Sequence, residues 1–382
     1  MKELFDTLTQ PLMLPITIAF LAGALALLLS RRLPDLCKAI ALAASVAVLA
    51  TTALLLGGGR PAFNWDWMYL GSDITLSVSL TTSPLGMVVA VGSAAFALLI
   101  TVYSLRDMAG TYWEGKFYAY LLWALGGACT VALAGNLLVL LVGWEIVTLM
   151  LFLMINLGRG DAKAGAAKAY GVLGFADGCL LLAIVLLAAA PGGSKNLLLA
   201  DGARSVAAMG AVGYVIYLLM MVAALAKAGA IPVHTWIPSI AEDTPTPVMA
   251  YLPAAVDKLL GIYLLAVISL RMFRPDPAMQ MVMMIVGAVT ILAAVLMAMM
   301  QHNLKKLLSF HAVSQVGYMV LGIGTGTTIG VIGGSRTYPV GCHASASSKS
   351  GGFSKSAGWS KYWGAQASVP PQRISRPAPP SR

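Results

Sequence analysis

The sequence predicts an all-α fold, a polytopic transmembrane helix bundle of about ten spans. Three observations carry this. Of 382 residues, 59% are hydrophobic and only 10% are charged. Mean hydropathy is +0.82. Apolar runs of bilayer-crossing length recur along the chain. A soluble domain carries about a quarter of its residues as Asp, Glu, Lys and Arg, so a cytosolic enzyme and a nucleic-acid-binding protein are both excluded.

Bilayer hydrocarbon is about 30 Å thick and takes roughly 17 to 25 apolar helical residues to cross. Runs of that kind occupy residues 14–30, 39–56, 86–105, 118–134, 137–157, 172–190, 207–226, 248–270, 279–300 and 307–323. The first begins too late, and is followed too soon by the second, to be a cleaved signal, so a retained anchor is expected. The longest connection, 57–84, contains the alternating Ile74-Thr75-Leu76-Ser77-Val78-Ser79-Leu80, which predicts a short strand lying against the external face.

Basic residues are retained on the cytoplasmic side. With the N-terminus outside, inner connections hold ten Lys and Arg, among them Arg31, Arg32, Lys38, Arg159, Lys305 and Lys306, against six outside. That bias predicts a multi-pass protein of the cell inner (plasma) membrane with an external N-terminus. The net charge of +10 belongs mostly to the end of the chain: seven of the 25 basic residues follow Gly334, where no acidic residue stands, so the remainder carries +3. From Ser335 the composition changes to Ser, Gly, Pro, Lys and Arg without apolar periodicity, which predicts a disordered tail over 335–382, either native or out of frame. Cys37, Cys129, Cys179 and Cys342 are far apart and show no CxxC or Cys/His spacing. No metal, haem, iron-sulfur or other cofactor is therefore expected, and any electrons move in another chain.

A charge at the bilayer centre costs several kcal/mol, so an ionisable residue inside an apolar run is a functional hypothesis by default. Three segments stand out. Glu145, in Gly143-Trp144-Glu145, lies near the middle of the fifth run; a neutral carboxyl hydrogen-bonded in the bundle is the structural alternative to a proton-exchanging group. Lys227 is followed by Ile231-Pro232-Val233-His234-Thr235-Trp236. A proline there cannot donate to the carbonyl four residues earlier, so Pro232 predicts a helix break beside the lysine. Irregular backbone at membrane depth survives only inside protein or along a watery cavity, where discontinuous helices form ion sites. A buried lysine near a carboxylate is suited to loading and releasing a proton, although Lys227 could also snorkel from a helix end.

The third segment carries adjacent Asp257 and Lys258 in the eighth run. They point about 100° apart on an ideal helix and so do not pair with each other; Lys258 is a relay candidate, Asp257 a secondary one, and a mutually neutralising packed cluster is the structural alternative. His234 and His311 are further relay candidates, each also readable as a satisfied buried or interfacial histidine. His302, Lys305 and Lys306 mark the inner interface, and the Met-rich ninth run reads as a lipid-facing or packing surface. There is no nucleotide-binding loop and no paired nucleophile and base, so no catalytic residue is expected.

Taken together, Gly143-Trp144-Glu145, Lys227 with Ile231-Pro232-Val233-His234-Thr235-Trp236-Ile237-Pro238, Pro245-Thr246-Pro247-Val248, and Lys305-Lys306-Leu307-Leu308 with Ser314-Gln315-Val316-Gly317-Tyr318-Met319 resemble the antiporter-like membrane subunits. These occur in proton-pumping NADH:quinone oxidoreductase (complex I), membrane-bound hydrogenase or formate hydrogenlyase complexes, and Mrp cation/proton antiporters. The resemblance implies two inverted repeats, each with a broken helix and a lysine-centred half-channel. Residues 1–117 would be N-terminal helices with an external loop, 118–271 the first repeat and 272–334 the start of the second. Glu145 would tune Lys227 and couple it to a neighbouring subunit, with Lys258 as the next relay; the wording around Val256-Asp257-Lys258 leans toward hydrogenase-type members. The family continues past the equivalent of Gly334, which favours a frameshifted or truncated chain here. The implied function is a proton-translocating, non-redox subunit working with other membrane subunits and a peripheral redox arm. An Mrp-type antiporter subunit and a truncated, inactive remnant are the competing readings.

Overall fold

In hydrocarbon every backbone N–H and C=O must be satisfied within its own segment, so apolar runs of this length fold as helices. The computed structural model describes residues 10–57, 61–70, 74–199, 204–327, 330, 331 and 333. The tail expected at 335–382 lies outside the described residues. In chain order the helices are α1 (Leu14–Leu29), α2 (Pro34–Gly57), α3 (Pro84–Asp107), α4 (Glu114–Leu133), α5 (Leu137–Ile155), α6 (Ala162–Ala189), α7 (Gly210–Ala228), α8 (Trp236–Ile240), α9 (Thr246–Tyr251), α10 (Asp257–Val267), α11 (Pro277–Met299) and α12 (Leu304–Gly324). Among the described residues nine segments are long and apolar enough to cross a membrane; two are composite, Ala207–Ile240 and Thr246–Met272. With the shorter apolar α1, each of the ten expected runs falls on one of these segments, and the chain is a multi-pass membrane protein.

Helix starts are fixed by side chains that take up the free N–H groups of a first turn. Ser83 accepts from Gly86 N, Asn136 from Val139 N and Asp276 from Met279 N. The expected strand is β2 (Ile74–Thr81), and it pairs antiparallel with β1 (Ala62–Leu70), with a bulge between Asp66 and Met68. The hairpin is tied to the bundle where Leu80 bridges Ala134 and where Asn136 Nδ2 donates to Ser77 O at 2.6 Å.

Packing places α4 and the composite Thr246–Met272 at the centre: 83% and 89% of their spanning windows are buried, against 22% for α11. Around them α1 and α5 pack on α4, α2 on α3, α6 on α5 and α7, and α10 on α7.

Two of the central segments are irregular. Helix α7 ends where Gly229 adopts a left-handed φ of 83°, a conformation glycine takes without a Cβ penalty. Gly229 N donates to Leu225 O and Ala226 O, and Ala230 N to Leu225 O. The break therefore starts at Gly229, ahead of Pro232, and the chain turns through Val233–Thr235 into α8. Groups left over by the break find partners: Trp236 Nε1 donates to Ala226 O at 3.0 Å, and Ile231 N to Thr290 Oγ1 at 3.2 Å. Between α9 and α10, Leu252–Val256 widens into a π turn around Pro253, which has no N–H for the regular ladder.

Helix α10 meets α7 at Gly261. A Cβ there would collide with Ala228 N, and would stand 2.6 Å from Ala224 O and 2.8 Å from Ala228 Cβ. Because these are mostly backbone atoms, the two helices would have to separate. Gly261→Ala is expected to cost about 1–3 kcal/mol as overpacking, read as a lower melting temperature in detergent. Gly171→Ala on α6, where a Cβ meets nothing within 4 Å, should not lower it.

Candidate functional site

The end of α7 brings Lys227 against α5. On α5, Trp144 and Thr148 stand one turn apart and both are buried, so they share the inward face. Lys227 Nζ donates to Trp144 O at 3.0 Å and to Thr148 Oγ1 at 2.7 Å. It also lies 4.6 Å from the centroid of the Trp144 ring, within cation–π range. Lys227 is 1% exposed and therefore does not snorkel.

Two carboxylates complete the surroundings. Asp177, on α6, accepts from Trp144 Nε1 through Oδ1 at 2.6 Å and from Thr148 Oγ1 through Oδ2 at 3.0 Å. Thr148 thus accepts from the lysine and donates to the aspartate, forming the chain Lys227–Thr148–Asp177. On the other side, Asp257 Oδ1 lies 3.8 Å from Lys227 Nζ, with both side chains fully buried. That separation is an ion pair but too long for a hydrogen bond. Neither Asp257 oxygen accepts a hydrogen bond among the described residues. A shift of about 1 Å would bring the ammonium within hydrogen-bonding distance of Asp257. Chemically, a lysine between a hydroxyl-linked carboxylate and a nearby unlinked one has two routes for its proton.

The remaining sequence candidates separate. Lys258 is buried beside Asp257 and makes no ion pair or hydrogen bond among the described residues. His234 is buried in the turn after the break, its ring centroid 6.3 Å from that of Phe310 on α12, and its Nδ1 has no hydrogen-bond partner among the described residues. Pro232 lies within the break and is exposed. His311 is exposed on α12. Glu145 is also exposed on α5, as are Val142 and Leu149, and no direct contact joins it to Lys227 among the described residues. The carboxylate that stands in ion-pair range of Lys227 is Asp257. Asp177 was missed by the three-segment reading, although it carries the same signal as Glu145: a carboxylate inside an apolar run, here 172–190.

Residues 134–343 match the family described as NADH:quinone oxidoreductase/Mrp antiporter, transmembrane. The match includes Trp144, Thr148, Asp177, Lys227 and Asp257. The chain is 31% identical over 325 residues to NADH-quinone oxidoreductase subunit L of Escherichia coli, covering 82% of this chain and 52% of that protein. It is 29% identical over 287 residues to Na(+)/H(+) antiporter subunit A1 of Staphylococcus epidermidis, covering 73% of this chain and 34% of the relative. Among solved structures it is similar to a chain of the Mrp complex from a Dietzia species, with a TM-score of 0.75 and 25% identity, over 84% of this chain and 35% of that one. The chain spans about half the length of the curated relatives it matches.

Thr148 is the one hydroxyl between Lys227 and Asp177 in this chain of hydrogen bonds. Thr148→Val keeps the shape but leaves a buried ammonium and a buried carboxylate each short of a partner. It should lower stability by about 1–3 kcal/mol, measured by thermal unfolding in detergent, whereas Thr148→Ser should stay close to the parent.

Proposed function

Because the chain belongs to the NADH:quinone oxidoreductase/Mrp antiporter transmembrane family, we propose that it is a proton-translocating membrane subunit of a redox-driven oxidoreductase complex. Lys227 is the central proton carrier. The observation that carries this reading is the buried ammonium at the end of a broken helix, held through Thr148 to Asp177 and facing Asp257 at 3.8 Å. Lys227 faces both carboxylates inside the bundle, so a small movement of either acid changes which of them it contacts. Lys258 and His234, both buried, serve as onward and entry relays, with His311 as an outer candidate.

Glu145 acts at a subunit boundary in this proposal. A carboxylate on an otherwise apolar helix face is costly in lipid, and a neighbouring membrane subunit that covers this face supplies its partner. Electrons stay in a peripheral redox arm, and the chain has no catalytic centre of its own. Residues 118–271 form the first repeat and 272–334 open the second. The location is the inner (plasma) membrane with the N-terminus outside, a reading supported by the ten-to-six bias of basic residues.

A second reading, a cation/proton antiporter subunit, is favoured by the similarity to the Staphylococcus relative and to the Mrp complex. Proton uptake by inverted membrane vesicles, driven by the donor of the assembled complex, separates the two. Lys227→Met should abolish uptake with assembly retained, and Glu145→Gln should reduce it. Full uptake by Lys227→Met sinks the relay. Uptake that needs a sodium gradient, and not a redox donor, selects the antiporter.

A further inference from the structure

Helices α11 and α12 touch backbone to backbone. A Cβ on Gly287 would stand 2.7 Å from Leu321 N and 2.9 Å from Gly317 O, and one on Gly317 would stand 2.7 Å from Gly287 O and 2.8 Å from Ile291 N. So close a crossing leaves the pair, packed as one body, little room to slide.

This body holds the broken helix at both ends. Within the bundle, buried Thr290 on α11 accepts from Ile231 N, the backbone donor released by the break, at 3.2 Å. At the far end, the start of α12 grips the connection after α8. Asn303 Nδ2 donates to Glu242 Oε1 at 3.1 Å, Lys306 Nζ pairs with Glu242 Oε2 at 3.0 Å, and Lys305 Nζ donates to Thr244 O at 3.0 Å and Glu242 O at 3.3 Å. Lys305 and Lys306, which in sequence read as interface markers, are thus tertiary ties. Between the two grips, Phe310 of the same hairpin sits against His234.

We propose that the α11–α12 hairpin is a single clamp on residues 231–244, with Thr290 and Lys305 as positioning residues for Lys227. The clamped segment is continuous with Lys227 on one side and, through α9, with Asp257 on the other. Displacing the hairpin therefore changes the Lys227–Asp257 separation from both ends. Two unconnected struts would hold the same contacts but would fail independently.

Amide hydrogen exchange on the full chain in its native complex distinguishes these cases. Thr290→Val and Lys305→Met should each speed exchange about tenfold in both 229–236 and 241–245, the double variant should add little, and Lys305→Arg should restore most of the protection. Unchanged exchange in α1 to α4 verifies that the variants fold. If each variant loosens only its own end, the clamp is overturned. The importance of the clamp for proton movement rests on the relay reading, and the two fail separately: proton uptake by Lys227→Met would remove the relay while leaving end-to-end coupling in exchange, and uncoupled ends would remove the clamp whatever Lys227→Met does.

Discussion

An ammonium taken out of water has to be surrounded by oxygen, and Lys227 draws on three other helices for it. Helix α5 gives the Trp144 carbonyl and Thr148 hydroxyl, α6 gives Asp177 behind that hydroxyl, and α10 gives Asp257. Removing one member of a buried pair typically costs about 3–5 kcal/mol, because the other charge is left uncompensated. The positions of these helices are therefore tied to one another through a single side chain. Among the described residues, the buried acids of this region, Asp177 and Asp257, are matched in number by the buried lysines, Lys227 and Lys258.

The irregular backbone serves that requirement. Gly229 ends α7 two residues after Lys227, so the lysine sits where helix order stops. The π turn at Leu252–Val256 immediately precedes Asp257, and Gly261, one turn further along α10, lets that helix approach α7 closely. Both the base and the acid thus stand next to a helix irregularity, at sites where the backbone is held by scattered hydrogen bonds instead of a full ladder. A pair held in this way can change its separation without unfolding a helix, which a proton carrier needs and a purely structural ion pair does not.

Glu145 shows how one helix can serve two environments. Trp144 and Thr148 turn inward on α5, and Glu145, about 100° around the helix from Trp144, turns outward. The inner face is complete within this chain, whereas the outer face carries a carboxylate among apolar side chains.

The sequence by itself determined the spans, because length and apolarity suffice where water is absent, and each of the ten runs became helix. It also determined that a strand follows α2, that the chain breaks near Pro232, and that Glu145, Lys227, Asp257 and Lys258 are anomalous in hydrocarbon. Asp177 was equally legible, as a carboxylate within 172–190. Only the tertiary structure decided partnership. In a soluble helix, polarity marks the outer face. Here most faces are apolar all round, so the 3.6-residue period could show that Asp257 and Lys258 point apart but not that Asp257 meets Lys227, that Glu145 faces outward, or that Lys305 reaches back to Glu242 and Thr244. Those choices follow from which helices cross at small residues such as Gly261, and that contact lies between segments far apart in the chain.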